Sequence, residues 1–437
     1  MTRADAAGGR GRSGNATETT GLRPVQVAWL AGSVFIVSAG YGALLPVLPG
    51  WLASMMPGAN VDEVGRHVGF LSGVYAAGVL LGAPLWGVVS DRVGRGRILI
   101  LGLVGYVVSL LLLLIPALAN LWGIYMLRAT TGFFVAAVVP VVAALVAEHT
   151  PEKQRARRFA WLGAMSLLGF LFGPTLSAVA SAVGPWTADG APSPASPAQV
   201  ALVLSALLGG VMMLGLASTL PGSLDDRVRP QDKPVASLQG RPAALLWLSG
   251  MVMFALAGFE LGIVLQGQQS SGQSSRQAAI MLAECSLVML LVNALLFVTS
   301  LLERIAARVL IGAGLLLAII GLALLAADRS DAWMYLGVSL TSAGTGLVLP
   351  VIAYLAAGAS PQKLGVVMGG LAAASGLGQT LGSAAGGWLF GVQAHLSFGW
   401  LTLPLVLMLV LLLTRPLWWS VNGGALHVPD AHHAHEQ

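Results

Sequence analysis

The chain has 437 residues, of which 56% are hydrophobic and only 9% charged, 23 Lys+Arg against 18 Asp+Glu. Soluble domains carry roughly a quarter charged residues, so most of this surface faces lipid, which excludes a soluble enzyme, a nucleic-acid binder and a disordered chain. The apolar runs are long and continuous rather than alternating, which also excludes an outer-membrane barrel.

Residues 1–23 are polar and rich in Gly, Ala and Arg. The apolar stretch that follows is too long for a cleaved signal and predicts a retained helix. Apolar runs then fall at about 24–53, 67–90, 98–119, 121–148, 158–184 and 199–221. A second set falls at about 243–268, 277–300, 306–327, 332–358, 363–390 and 394–418. A spanning helix needs about 20 apolar residues, so the pattern predicts an all-α membrane protein with twelve transmembrane helices.

Basic residues orient the spans, because they concentrate in cytoplasmic loops. Arg3, Arg10, Arg12 and Arg23 precede span one. Arg92, Arg95 and Arg97 follow span two, and Lys153, Arg155, Arg157 and Arg158 follow span four. Arg227, Arg229, Lys233 and Arg241 follow span six. Arg304, Arg308, Lys363 and Arg415 continue the series, while the opposite loops hold only Arg66, Arg276 and Arg329. Both termini are therefore expected in the cytoplasm, and the net charge of +5 is explained by topology without an anionic partner.

The polar segment 222–242 divides the spans six and six. This predicts an N-tail at 1–23, bundles at 24–221 and 243–418 joined by a cytoplasmic linker at 222–242, and a C-tail at 419–437. The halves resemble each other at a shift near 210. Tyr125 matches Tyr335, Pro140 matches Pro350, and Thr150-Pro151-Glu152-Lys153 matches Ser360-Pro361-Gln362-Lys363. Gly169 and Gly173 match Gly378 and Gly382. Internal duplication of a six-span unit points to a transporter whose substrate path lies between two rocking bundles.

Loop 2–3 reads Gly87-Val88-Val89-Ser90-Asp91-Arg92-Val93-Gly94-Arg95-Gly96-Arg97. This resembles the loop 2–3 signature of the major facilitator superfamily. The resemblance implies a fold of two pseudo-symmetric six-helix bundles and a cytoplasmic latch formed by Gly87, Asp91, Arg92, Gly94, Arg95 and Arg97. It implies contact between Asp91 and the eleventh span near residues 361–366, with Glu148 joining the charge cluster. Gly96 stands where the family usually has a basic residue, which weakens the expected charge relay.

Span five carries Gly169-Phe170-Leu171-Phe172-Gly173-Pro174-Thr175-Leu176-Ser177-Ala178. Gly169, Gly173 and Pro174 are similar to the family's antiporter motif, although Ser177 and Ala178 replace its final glycine pair. That implies export; plain small-residue packing is the alternative. Arg128, inside span four, resembles the family's fourth-helix arginine, which influences proton transfer in proton-coupled members. The end of span one, Leu44-Leu45-Pro46-Val47-Leu48-Pro49-Gly50-Trp51, looks like that of twelve-helix drug–proton antiporters. The acidic residue that several relatives place in that helix is missing here.

Two carboxylates stand in the second half instead. Glu260 in span seven and Glu284 in span eight each lie about seven residues, roughly 10 Å, from the outer end, and Arg128 lies at similar depth. A carboxylate moved between wet and dry surroundings can take up and release a proton. Glu260, Glu284 and Arg128 are therefore the coupling candidates, expected to face a common cavity with Tyr41, Phe254 and Phe259 in its wall. A structural role for the carboxylates, paired with Arg128 or reaching toward the outer surface, is the alternative.

The single Cys285 sits in an apolar run, which marks a buried thiol and excludes an intrachain disulfide. His432, His433 and His435 suit a solvated tail, with metal binding as the alternative. No nucleotide loop, metal cluster or nucleophile–base set is present, so no cofactor is expected and the chain does not read as an enzyme. The preferred reading is a monomeric, proton-coupled exporter of a small organic compound across the cytoplasmic (inner) membrane, with protons, substrate and lipid as partners and no nucleic acid. An importer of a nutrient, chelate or metal, and a non-transporting receptor or scaffold, are the alternatives.

Overall fold

The structure is a computed structural model. It describes residues 22–118, 120–150, 152–183, 197–220, 241–269, 275–299, 301–327, 330–359, 364–393 and 397–414. The tails and most of the linker lie outside these residues. Among those described there are fifteen helices and no strand. The first half comprises α1 (Pro24–Leu44), α2 (Leu48–Met55), α3 (Val61–Val93), α4 (Arg95–Leu112), α5 (Leu121–Val135), α6 (Val139–Glu148), α7 (Glu152–Val183) and α8 (Pro197–Thr219). The second comprises α9 (Arg241–Gln269), α10 (Ser275–Val298), α11 (Leu301–Arg304), α12 (Ala307–Ala327), α13 (Asp331–Ala359), α14 (Leu364–Gln393) and α15 (Ser397–Thr414).

Ten spans have the length and hydropathy to cross a bilayer, with α5 and α6 together forming one of them, Leu121–Val146. Long α7, with its shorter apolar stretch Trp161–Ser177, and the 30-residue α14, which has no charged side chain, take the fifth and eleventh places. The chain is thus a multi-pass membrane protein with the expected count of twelve. Its outward faces carry side chains such as Leu81, Leu207, Leu291 and Val298, which in water would be a liability and in lipid are at home. Exposed tryptophans gather at the span ends: Trp122, Trp333, Trp388 and Trp400 at one end, Trp161 and Trp247 at the other. Such belts mark the membrane–water boundaries.

Breaks follow proline. Pro46 separates α1 from α2, and a disrupted turn at Val135–Val138 separates α5 from α6 just before Pro140. Proline supplies no N–H to the ladder and clashes with the preceding turn.

Packing repeats across the halves. In the first, α1 lies along α7 and α8, and α4 packs on α5 and α8. In the second, α9 lies along α14 and α15, and α12 packs on α13 and α15. The two α1–α7 and α9–α14 seams even share a clasp. Ser38 Oγ meets Ser166 Oγ at 2.9 Å, and Ser249 Oγ meets Ser375 Oγ at 2.7 Å. The halves touch along α3–α14 and α7–α10.

Glycine sets how closely these seams approach. A Cβ on Gly382 would lie 2.7 Å from Phe254 Cα, and one on Gly386 would lie 2.8 Å from Gly258 Cα. Gly173 meets Gly42 in the same way in the first half. Bilayers offer no hydrophobic drive between helices, so backbone-to-backbone packing of this kind supplies much of the association.

Candidate substrate and coupling site

A cavity of about 310 Å³ lies between the halves, near the lower end of the range for small-molecule sites. Val37, Ser38 and Tyr41 of α1, Tyr75 and Val79 of α3, and Ser166 and Phe170 of α7 form one wall. Met253, Leu256, Ala257 and Glu260 of α9, Ser286 and Met289 of α10, and Gln379 of α14 face them. Glu260 is the one carboxylate among these lining residues, and no described side chain forms a hydrogen bond or ion pair with it. Its helix is the most enclosed of the ten spans, with 78% of its core window buried against 33–56% for the others.

Across the cavity, Tyr41 stacks near Tyr75 (5.0 Å between centroids) and Phe170 (5.8 Å), and its hydroxyl meets the Gln379 side chain. Arg128 is 3% exposed and does not line the cavity directly. Its guanidinium sits over the Tyr75 ring, 4.6 Å from the centroid, and its Nε has no hydrogen-bond partner. A cation–π contact contributes up to about 2 kcal/mol when desolvated, less than the several kcal/mol that burying an unpaired cation costs. The arginine is therefore held in an under-satisfied position behind the aromatic wall.

Four expectations change here, the first being that Arg128 faces the cavity. Phe259 is fully buried against Phe398 of α15, and Phe254 packs its backbone against Gly382, so neither lines the cavity. Helical phase explains both. Positions 253, 256, 257 and 260 share one face of α9, and 254 and 259 fall to either side of it. Glu284 also leaves the shared cavity. It accepts a hydrogen bond from Ser339 Oγ of α13 at 2.5 Å and sits on the outward stripe of α10. Depth along a span is legible in sequence, but azimuth within an almost wholly apolar helix is not.

Sequence reasoning passed over Tyr75 and Gln379. Gln379 carries a signal that could have found it, because an amide inside a glycine-rich span needs a polar partner or a cavity.

The latch residues lie at the end of the bundle that holds the α3–α4 turn. Gly94 has φ 107°, a conformation that side chains other than glycine rarely adopt. Arg95 joins Asp91 (3.0 Å) and Glu148 at the end of α6 (Nε to both oxygens at 2.8 Å). Every described ion pair of this cluster is within the first half. Arg92 and Arg97 are exposed on the same turn, with Arg97 reaching the Val93 carbonyl at 3.4 Å. Gly87 of the expected latch has nothing within 4 Å of a Cβ placed on it. Of residues 361–366, where contact with Asp91 was expected, 361–363 lie outside the described residues.

At the opposite end α3 and α14 are in backbone contact. A Cβ on Gly69 would lie 2.6 Å from Gly387 Cα, and Gly65 packs on Leu265 and Phe390. The α1–α2 corner is buried there from Tyr41 to Pro49 and again at Trp51 and Leu52. Gly69 opposes Gly387 and Leu80 opposes Gly376. The same antiparallel register, carried onward, sets Asp91 opposite residue 365. The halves are closed at the far end, whereas toward the latch end Gly87 of α3 meets nothing within 4 Å and Ala372 and Ala373 of α14 are exposed.

In the antiporter-like helix, Gly169 lies on the Phe35 carbonyl and Gly173 on Gly42, with Pro174 inside α7. Ser177 donates to the Ala43 carbonyl. That carbonyl is free because the Val47 N–H turns to Leu44 at the α1 break. The serine that departs from the motif thus satisfies a buried acceptor.

Twelve spans in two matched halves around a polar-pointed cavity define a membrane transporter rather than an enzyme. The sequence profile of the Major Facilitator Superfamily matches residues 30–297, and the chain belongs to that superfamily. It is 27% identical to the class D tetracycline resistance protein of Salmonella ordonez over 392 residues, covering 86% of this chain and 94% of the relative. It is 35% identical to the class B tetracycline resistance protein of Escherichia coli over 146 residues, about a third of each chain. The solved structure of the human organic anion transporter MFSD10 (TETRAN) superposes with a TM-score of 0.68 at 20% identity, covering 90% of this chain and 100% of that one. That likeness concerns the fold.

Proposed function

We propose that this transporter exports a small organic compound in exchange for protons, by alternating access of the central cavity across the cytoplasmic membrane, with both termini cytoplasmic. The observation that carries this reading is Glu260, a lone carboxylate on the wall of the cavity between the halves. A solitary ionised carboxylate in a span is costly, so it is stable ionised when wet or beside a cationic substrate, and protonated when the cavity dries. Competition between proton and substrate for one group couples their opposite movements. Arg128, held behind Tyr75, tunes that competition electrostatically. Tyr41, Tyr75 and Phe170 supply apolar and aromatic contact to the substrate.

Direction rests on three supports. The class B and class D relatives are named for tetracycline resistance, the α7 seam is similar to an antiporter motif, and the concentration of basic residues in alternate loops supports a cytoplasmic latch end. The close far-end contact and the exposed α14 face toward the latch end support an inward-facing reading of this conformation. Closure of the latch end would bring Asp91 to the start of α14, while the Gly69–Gly387 contact parts.

Inverted membrane vesicles loaded with the full chain test the proposal. Acidifying the lumen should drive uptake of tetracycline or another member of a panel of aromatic drugs, and a protonophore should collapse it. A panel that enters only down its own gradient, indifferent to pH, contradicts proton-coupled export.

A further inference from the structure

The Glu284–Ser339 pair lies outside the cavity and needs its own explanation. Glu284 shares its helical face with Ile280, Leu287, Leu291 and Leu295, all exposed on α10. Ser339 stands at the edge of the exposed arc of α13 that holds Trp333 and Leu336. The pair therefore floors a seam between two spans that opens toward lipid. Glu284 is nine residues along α10 and Ser339 eight residues along α13, so both lie about 12–13 Å from the helix ends, within the acyl layer. One carboxyl oxygen takes the Ser339 hydroxyl, and the other, Oε2, is buried with no partner. Residues 277–298 and 332–359 contain no Lys, Arg or His, so neither helix supplies a counter-ion at this depth.

We infer that this seam binds a lipophilic amine dissolved in the bilayer. Such an amine enters the acyl layer in its neutral form. There its nitrogen lone pair accepts the carboxyl proton of Glu284, the O–H bond breaks and an N–H bond forms. The product is an ammonium–carboxylate pair of zero net charge, made without carrying an ion into lipid. The ammonium N–H donates to the unpartnered oxygen Oε2, and Ser339 continues to donate to the other. The apolar rim of Ile280, Leu287 and Leu336 receives the alkyl body. This site is independent of the transport reading, since it lies on the other face of α10 from Ser286 and Met289.

The test uses the full chain in phosphatidylcholine nanodiscs with radiolabelled N,N-dimethyldodecylamine. The inference expects a saturable component above simple partition, accompanied by infrared loss of a protonated-carboxyl carbonyl band. Glu284→Gln should remove both while eluting as folded protein, and Ser339→Ala should weaken binding about five-fold. Glu260→Gln should leave both signals in place. Dodecyltrimethylammonium, which cannot accept a proton, should bind the unmodified chain about tenfold less well; this comparison does not depend on any variant folding. Equal binding of the quaternary ion, or saturable binding that survives Glu284→Gln, overturns the inference. Loss of the signals in Glu260→Gln assigns them to the cavity and overturns it as well. Adding phosphatidylethanolamine should leave the component unchanged; its disappearance would mean a lipid headgroup amine holds the site, contrary to the inference.

Discussion

The two halves of this molecule are built alike and charged differently. Each has a parallel seam of small residues, α1–α7 in one and α9–α14 in the other, clasped by a pair of serines. The first half then places Tyr41 and Tyr75 in the cavity wall with a buried cation, Arg128, behind them, and carries the Arg95–Glu148 cluster. The second places Glu260 and Gln379 there, with no cation among the lining residues. A duplicated scaffold can rock as two rigid bodies, whereas a protonation switch needs the halves to differ. The symmetry carries the motion and the asymmetry carries the coupling.

The largest effect should come from removing the asymmetry. Glu260→Gln, close in shape but unable to ionise, should reduce pH-driven uptake in inverted vesicles to background while the protein still elutes as folded. Next, the seam can be jammed in either half. Gly382→Val and Gly173→Val each drive a side chain into facing backbone, so each should destabilise the protein by about 1–3 kcal/mol, read as a lowered Tm in detergent. Gly210, where an added Cβ meets nothing within 4 Å, is the control, and Gly210→Ala should be neutral or slightly stabilising.

Arg128→Lys keeps the charge but loses the planar stack on Tyr75. It should slow coupled transport about tenfold, roughly the weight of one desolvated cation–π contact, with little change in Tm. The smallest effects should be the symmetric ones. Ser38→Ala and Ser249→Ala each delete one clasp hydrogen bond, about 1 kcal/mol apiece. Matching Tm losses would support equivalent seams, and a large difference would break the structural parallel.

Much of this was legible in the sequence. Charge scarcity gave the membrane, and apolar runs gave the twelve spans. The shift near 210 anticipated the paired seams, since Gly169/Gly378 and Gly173/Gly382 occupy matching positions in them. Loop 2–3 was recognisable because its turn needs glycine at Gly94. The cavity wall was less legible. In a helix apolar on every side the hydrophobic pattern has no phase, so Phe254 and Phe259 were as plausible as Met253 and Ala257. Glu284 and Glu260 looked alike for the same reason, and only neighbouring helices distinguish the face that meets the cavity from the face that meets lipid. Polar residues that interrupt a span, such as Gln379, retain phase information and deserve greater weight.

The central claim is that Glu260 is the coupling group; its protonation should then favour the inward-facing state, and this can be tested without knowing the substrate. Spin labels at Val88 on α3 and Ala373 on α14, both exposed toward the latch end, would report the gap between the halves by pulsed electron resonance, with Cys285 replaced by serine. The account predicts a wide separation at low pH that narrows as pH rises, and in Glu260→Gln a separation held wide at every pH. A Glu260→Gln protein that still narrows with rising pH, as the parent does, would contradict it.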